Sequence, residues 1–178
     1  ILNQGAFRAA KEIGRGTEKY AVHIKGQDLA EGIRADKGWA LGTVVAPRGG
    51  GHLNGATMTG MMRIPPERSE EIFGTPYGGE QDTYRGKAHV VYYYELLKSA
   101  VDALGVCYFT SKWVDIDFLG PDEYAGLINA AAGKSFSGDD LMKLGRKIHN
   151  IEKAFNTLHA GFGREEDQPP QRFFLEPV

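Results

Sequence analysis

Two stretches of this 178-residue chain repeat apolar residues every three or four positions, and each stops at a glycine. The first runs Val90, Val91, Tyr94, Leu97, Val101 and Leu104 into Gly105; the second runs Leu141, Leu144, Ile148, Ile151, Phe155 and Leu158 into Gly161. That spacing lines one face of a 3.6-residue helix, and a glycine just past the end supplies a left-handed stop. It predicts a helix over 87–104 and a second of about twenty residues, which the capping-box spacing Ser137-Gly138-Asp139-Asp140 opens. Gly120-Pro121-Asp122-Glu123 puts proline at the first helical position and acids in the first turn, which predicts a helix to about residue 132 that Gly133 closes. Residues 6–13 read as a short helix stopped by Gly14 and Gly16, and 33–46 as a buried helix ended by Pro47. Only 20–26, where Tyr20, Val22 and Ile24 alternate with Ala21, His23 and Lys25, has the period of a strand or extended arm. The tail with Pro169-Pro170 and Pro177 reads as extended. The expected fold class is mainly α.

Length allows one domain with a real core. Residues 47–86, with Gly49-Gly50-Gly51, Pro65-Pro66, Pro76 and Gly78-Gly79, form the least regular part. A loop this long is functional or disordered, and Met58, Met61, Met62, Ile64 and Phe73 argue against disorder; a sub-boundary falls here if the chain has one. Twenty-one basic and 23 acidic residues give a formal charge of −2, so no electrostatic case exists for binding nucleic acid. No apolar run approaches the roughly 20 residues that span a bilayer. The single cysteine excludes an internal disulfide framework or a multi-thiolate zinc site within these residues and favours a reducing compartment, read as the cytoplasm. The chain starts at Ile1 without the pattern of a signal peptide and reads as a fragment of a longer polypeptide.

Two places invite chemistry. Cys107 comes after Asp102-Ala103-Leu104-Gly105-Val106, immediately past the strongest helix. Local sequence leaves two readings open: a packed small hydrophobe, or a thiolate ligand whose partner ligands lie elsewhere. Pro47-Arg48-Gly49-Gly50-Gly51-His52 removes every Cβ from the approach to a histidine, which suits a cofactor or substrate lying against backbone, or else a glycine hinge. The run matches no phosphate-binding fingerprint, and no H-E-x-x-H, C-x-x-C or G-x-S-x-G occurs. His23, His89, His149 and His159 lack ligand-type neighbours and read as surface or core residues. Glu165-Glu166-Asp167 reads as a solvated acidic turn.

Four segments taken in order carry a family resemblance: Lys25-Gly26-Gln27-Asp28-Leu29; Ala46-Pro47-Arg48-Gly49-Gly50-Gly51-His52-Leu53; Asp102 to Cys107; and Glu152-Lys153-Ala154-Phe155-Asn156 with Gly161-Phe162, Asp167, Pro170, Arg172-Phe173 and Glu176-Pro177. The combination resembles the helical C-terminal domains of the tungsten-containing aldehyde ferredoxin oxidoreductase family over nearly the whole chain. That resemblance implies an anaerobic oxidoreductase with a tungsten or molybdenum bis-pterin (molybdopterin-type) cofactor and a [4Fe-4S] cluster, interconverting aldehydes and carboxylic acids. It implies that Cys107 is the fourth thiolate of the cluster, that Asp102 binds a pterin edge through paired hydrogen bonds, and that His52 stands beside the metal as a hydrogen-bonding or proton-moving group. Gly105, Val106, Arg48, Gly49, Gly50 and Gly51 fall at cofactor-facing positions. The implied partners are the upstream region that carries the remaining ligands, a ferredoxin or electron-transfer subunit, and a small aldehyde, acid or aryl-CoA; a homo-oligomer is compatible with it. Tyr108 stands next to Cys107 where the simplest aldehyde oxidisers have lysine, which keeps the ring-reducing benzoyl-CoA branch as an alternative. A cofactor-free helical scaffold with a packed Cys107 is the alternative outside enzymes.

Overall fold

The computed structural model describes residues 2–29 and 31–176; Ala30 and the Pro177 of the terminal motif lie outside them. In chain order the elements are helix α1 (Ala6–Ile13), the two-residue strands β1 (His23–Ile24) and β2 (Gln27–Asp28), and helices α2 (Lys37–Val45), α3 (Thr59–Met62) and α4 (Pro66–Phe73). After these come α5 (Lys87–Ala103), α6 (Pro121–Ala132), α7 (Gly138–Ala160) and α8 (Arg172–Leu175), with short 3-10 turns between several of them. The strands pair antiparallel, His23 opposite Asp28 and Ile24 opposite Gln27, as a minimal hairpin.

The helices α1, α5, α6 and α7 form where the periodicity and caps predict. Ser137 Oγ accepts from the Asp140 amide while the Asp140 carboxylate accepts from the Ser137 amide, a full capping box; at α6 Glu123 Oε2 accepts from the Gly120 amide at 2.7 Å, and glycine, having no side chain, leaves the reciprocal bond unmade. Four expectations need correction. The helix predicted from residue 33 starts at Lys37, because Asp36 Oδ1 accepts from the Gly38 and Trp39 amides at 2.8 and 2.9 Å and caps it there. The stretch 47–86 contains α3 and α4, the latter begun by Pro66 at its first turn. The predicted strand shrinks to the hairpin, with Tyr20 in the 3-10 turn Thr17–Tyr20. The tail is not wholly extended, because α8 packs Phe173 inward.

α5 is buried on most sides and organises the molecule, with Val90, Tyr94, Leu97, Ala100 and Val101 wholly enclosed. They join Ile64, Phe73, Tyr108, Trp113, Tyr124 and Leu141 in the main core. A smaller core gathers Ile24, Ile33 and Val44 with Phe173 against them, and Trp39 packs on both. The long apolar stripe of α7 is only partly used. Leu141 is buried, but Ile151, Phe155 and Leu158 are 68%, 59% and 80% exposed. Among the described residues no helix is long and apolar enough to cross a membrane.

Candidate active-site face

His52 stands in the 3-10 turn His52–Asn54, and both tryptophans of the chain converge on it. Its ring stacks on Trp39 at 5.1 Å and 17° and on Trp113 at 6.3 Å and 14°. Trp113 is itself anchored by an Nε1–H bond to the Ala56 carbonyl at 2.6 Å. Glu31 Oε1 lies 2.8 Å from His52 Nδ1. A carboxylate oxygen only accepts, so the contact puts a proton on Nδ1 and leaves Nε2 as the proton-accepting nitrogen of the neutral ring. Glu31, Trp39 and Trp113 are invisible to motif reading: they come from three separate parts of the chain with no fixed spacing to His52.

The glycine run before His52 serves the backbone around it. A Cβ on Gly49, whose φ is +101°, would lie 2.6 Å from the Ile24 carbonyl oxygen, and the Gly50 amide donates to that oxygen at 3.4 Å. A Cβ on Gly51 would strike the Arg48 guanidinium at 2.7 Å. The run therefore seats the loop against the hairpin and beneath Arg48. Arg48 is exposed and has no ion pair among the described residues, so its fork is open to an anionic group.

Asp102 and Cys107 lie at the end of α5. The Gly105 amide donates to Asp102 O at 3.0 Å and the Val106 amide to Val101 O at 3.4 Å, with Gly105 at φ +68°. This is the doubly bonded glycine stop that reverses the chain after a helix. It carries Cys107 out of the helix in a fixed direction. Cys107 is a free, exposed thiol, so among the described residues it is not packed as a small hydrophobe. The Asp102 side chain is 53% exposed and ion-paired to Lys98. Burial first, and then the neighbouring Asp102 carboxylate, push Glu152 of α7 up, with Lys98 opposing. Glu152 in turn shares a shallow hollow with Arg48, Asn54, Ile151 and Phe155. Glu152 thus feels the Asp102 charge on one side and lines a hollow with Arg48 and Asn54 on the other. From Trp113 a further stack reaches Tyr108 at 5.3 Å, next to Cys107.

These residues fit a pterin edge and a cluster as contributors and not as the whole cage. An exposed thiol and a half-exposed carboxylate stand on one turn, while no described group of three or more His, Cys, Asp or Glu could hold a metal alone. Asp167, predicted as solvated, instead pairs with Lys25 at 2.5 Å.

A family model described as "Aldehyde ferredoxin oxidoreductase, domains 2 & 3" matches residues 1–178. The tungsten-containing aldehyde ferredoxin oxidoreductase of Pyrococcus horikoshii is 36% identical over 181 residues, which cover 100% of this chain and 27% of that protein. The proteins of the same name from Thermococcus kodakarensis and Pyrococcus furiosus are each 32% identical over 180 residues, 99% of this chain and 27% of theirs. The chain spans about a quarter of the length of the curated relatives it matches.

Proposed function

The chain belongs to the aldehyde ferredoxin oxidoreductase family, matching its second and third domains, and on that premise we propose that it forms part of a tungsten–pterin, iron–sulfur enzyme interconverting aldehydes and carboxylic acids with a ferredoxin-type electron carrier. The observation that carries this reading is the exposed Cys107 thiol displayed one glycine-stopped turn beyond Asp102. When bound, the metal–pterin group and the cluster supply the two-electron redox chemistry.

The chain's own residues supply position and protons. Asp102 would accept paired N–H bonds from a pterin edge, with Lys98 holding the carboxylate from its other side. Cys107 would give one thiolate to the cluster, and Gly105 and Val106 fix the distance between the two roles. Arg48 would meet the anionic oxygens of the cofactor, over the glycines that leave room for its side chain. An aldehyde and water, with water giving the oxygen, yield the acid and two protons, and two electrons leave to the ferredoxin-type carrier. His52, with Nδ1–H held by Glu31, would take a proton at Nε2 and return it in the reverse direction. The two indoles keep its ring from turning away.

The test uses the full-length enzyme isolated without oxygen. We expect about one tungsten or molybdenum and about four irons per polypeptide, from one cofactor and one cubane cluster. Cys107→Ala should erase the cluster's electron paramagnetic resonance signal. His52→Ala should keep metal and cluster but slow aldehyde oxidation by about 10²–10⁴, the range of general acid–base catalysis. Absence of tungsten, molybdenum and iron would refute the reading; reduction of benzoyl-CoA by reduced viologen, without aldehyde turnover, would move the substrate to the aryl-CoA branch.

A further inference from the structure

Between the last turn of α2 and Arg48 run four consecutive carbonyls, those of Val44, Val45, Ala46 and Pro47, and distant side chains take all four. Lys25 Nζ, on the hairpin turn, donates to Val44 O at 2.8 Å and Ala46 O at 2.9 Å. Lys153 Nζ, on α7, donates to Val45 O. Asn156 Nδ2, one turn further along α7, donates to Pro47 O at 2.6 Å. Asp167 stands between the two ammonium groups, 2.5 Å from Lys25 and 3.8 Å from Lys153.

Ordinary capping explains only part of this. A helix leaves its last carbonyls without partners, and a cation near them is favourable. Here the bonds continue past α2 to Ala46 and Pro47, which are not helical. The Lys25 side chain is only 2% exposed. Burial lowers its pKa, and the Asp167 carboxylate opposes that shift. An ammonium desolvated this far persists only with close partners. Beyond Arg48 the chain continues into three glycines, the residues with most backbone freedom to lose, and then His52. A loop of that composition has little shape of its own, and beyond the hydrogen bonds from the Gly49 amide to Ala46 O and the Gly50 amide to Ile24 O it depends on how its ends are fixed.

We propose that Lys25, Lys153 and Asn156, held in register by Asp167, are positioning residues that set His52 by gripping the backbone of residues 44–47. This rests on the proposed function, since it takes His52 as the proton-moving group. Glu31 and the two tryptophans grip the imidazole; the carbonyl clamp grips the chain that carries it. The four clamp residues all fall in segments shared with the family resemblance, and none is among the groups that stack on or pair with the His52 ring.

Two measurements on the full-length holoenzyme test this. In Lys153→Met and in Asn156→Ala, hydrogen exchange of the amides in 48–52 should quicken by about tenfold or more while exchange in α5 stays as in the parent. The kcat of each should fall by about 10- to 100-fold with KM within about twofold and metal content unchanged, as expected for small misplacement of a reacting group. Lys153→Arg, which keeps a donor, should recover most of the loss. In a His52→Ala background neither substitution should lower kcat further, because residues acting through His52 are not additive with it. Unchanged exchange in 48–52, or an equal fall in kcat with and without His52, overturns the proposal. If His52→Ala leaves turnover intact, the role of His52 fails by itself, and the exchange result alone decides whether the clamp holds the loop.

Discussion

Between α5 and α7, Glu95 Oε2 lies 3.7 Å from His149 Nε2, and each residue is 8% exposed. Burial pushes Glu95 up to about 7, assisted by the Asp167 carboxylate and opposed by Lys153 and Lys25. Burial, and then Lys153, pull His149 down to about 4. In the folded chain between roughly pH 4.5 and 6.5 both are neutral, whereas the unfolded chain carries an imidazolium and a carboxylate. Folding in that window moves a proton from one to the other without net uptake, so the pair adds no slope to stability. Below it the unfolded state binds more protons and stability falls. Above it the folded state keeps the extra proton to about pH 7, so stability declines as pH rises and then levels at the full cost. Glu95→Gln removes that cost. Its gain in thermal unfolding over the parent should be larger at pH 8 than at pH 6 by about 1 kcal/mol; an equal gain at both would mean that Glu95 ionises normally. Neither partner is legible from sequence, because a histidine and a glutamate more than fifty residues apart carry no local mark of burial.

At the scale of elements, what can be read is what is decided locally. α5, α6 and α7 have their period, caps and glycine stops written within one or two turns, and all three stand close to where those signals put them. Short elements are decided by what they pack against. α4 is hidden in a stretch rich in proline and glycine, although Pro66 marks its first turn; Phe73 fixes it by packing on Tyr93 and Tyr94 at 5.1 and 5.5 Å. The predicted start of α2 is misplaced because apolar residues before Asp36 extend the pattern while the cap ends it. That cap has a measurable worth. Asp36→Ala should cost about 1–2 kcal/mol in denaturant unfolding, with α2 fraying towards Trp39 and faster hydrogen exchange at Gly38 and Trp39. Unchanged exchange at those amides would show the cap to be redundant. The site obeys the same division. Cys107, Asp102 and His52 can be named from their own segments, but Glu31, the tryptophans and the work done by Lys25, Lys153 and Asn156 exist only after distant segments meet.

Across the whole molecule two apolar cores meet at one residue. Trp39 packs on the cluster around α5 and on the smaller one of Ile24, Ile33 and Val44, and also stacks on His52. Trp39→Ala should therefore cost about 3 kcal/mol, at the lower end for a large aromatic because the indole is only partly buried. It should also broaden the unfolding transition as the two cores uncouple; a sharp transition with a small loss would argue that Trp39 serves His52 alone. The carbonyl clamp links residues 44–47 to partners 108 and 109 positions later in the chain. Ribosomes add about 5–20 residues per second, so the glycine loop leaves the synthesis machinery on the order of 5–20 seconds before Lys153 and Asn156 exist. Contacts of such long sequence separation form late in folding as well. The loop that presents His52 is thus gripped early by Lys25 and the hairpin made before it, and gains its second grip only when α7 follows.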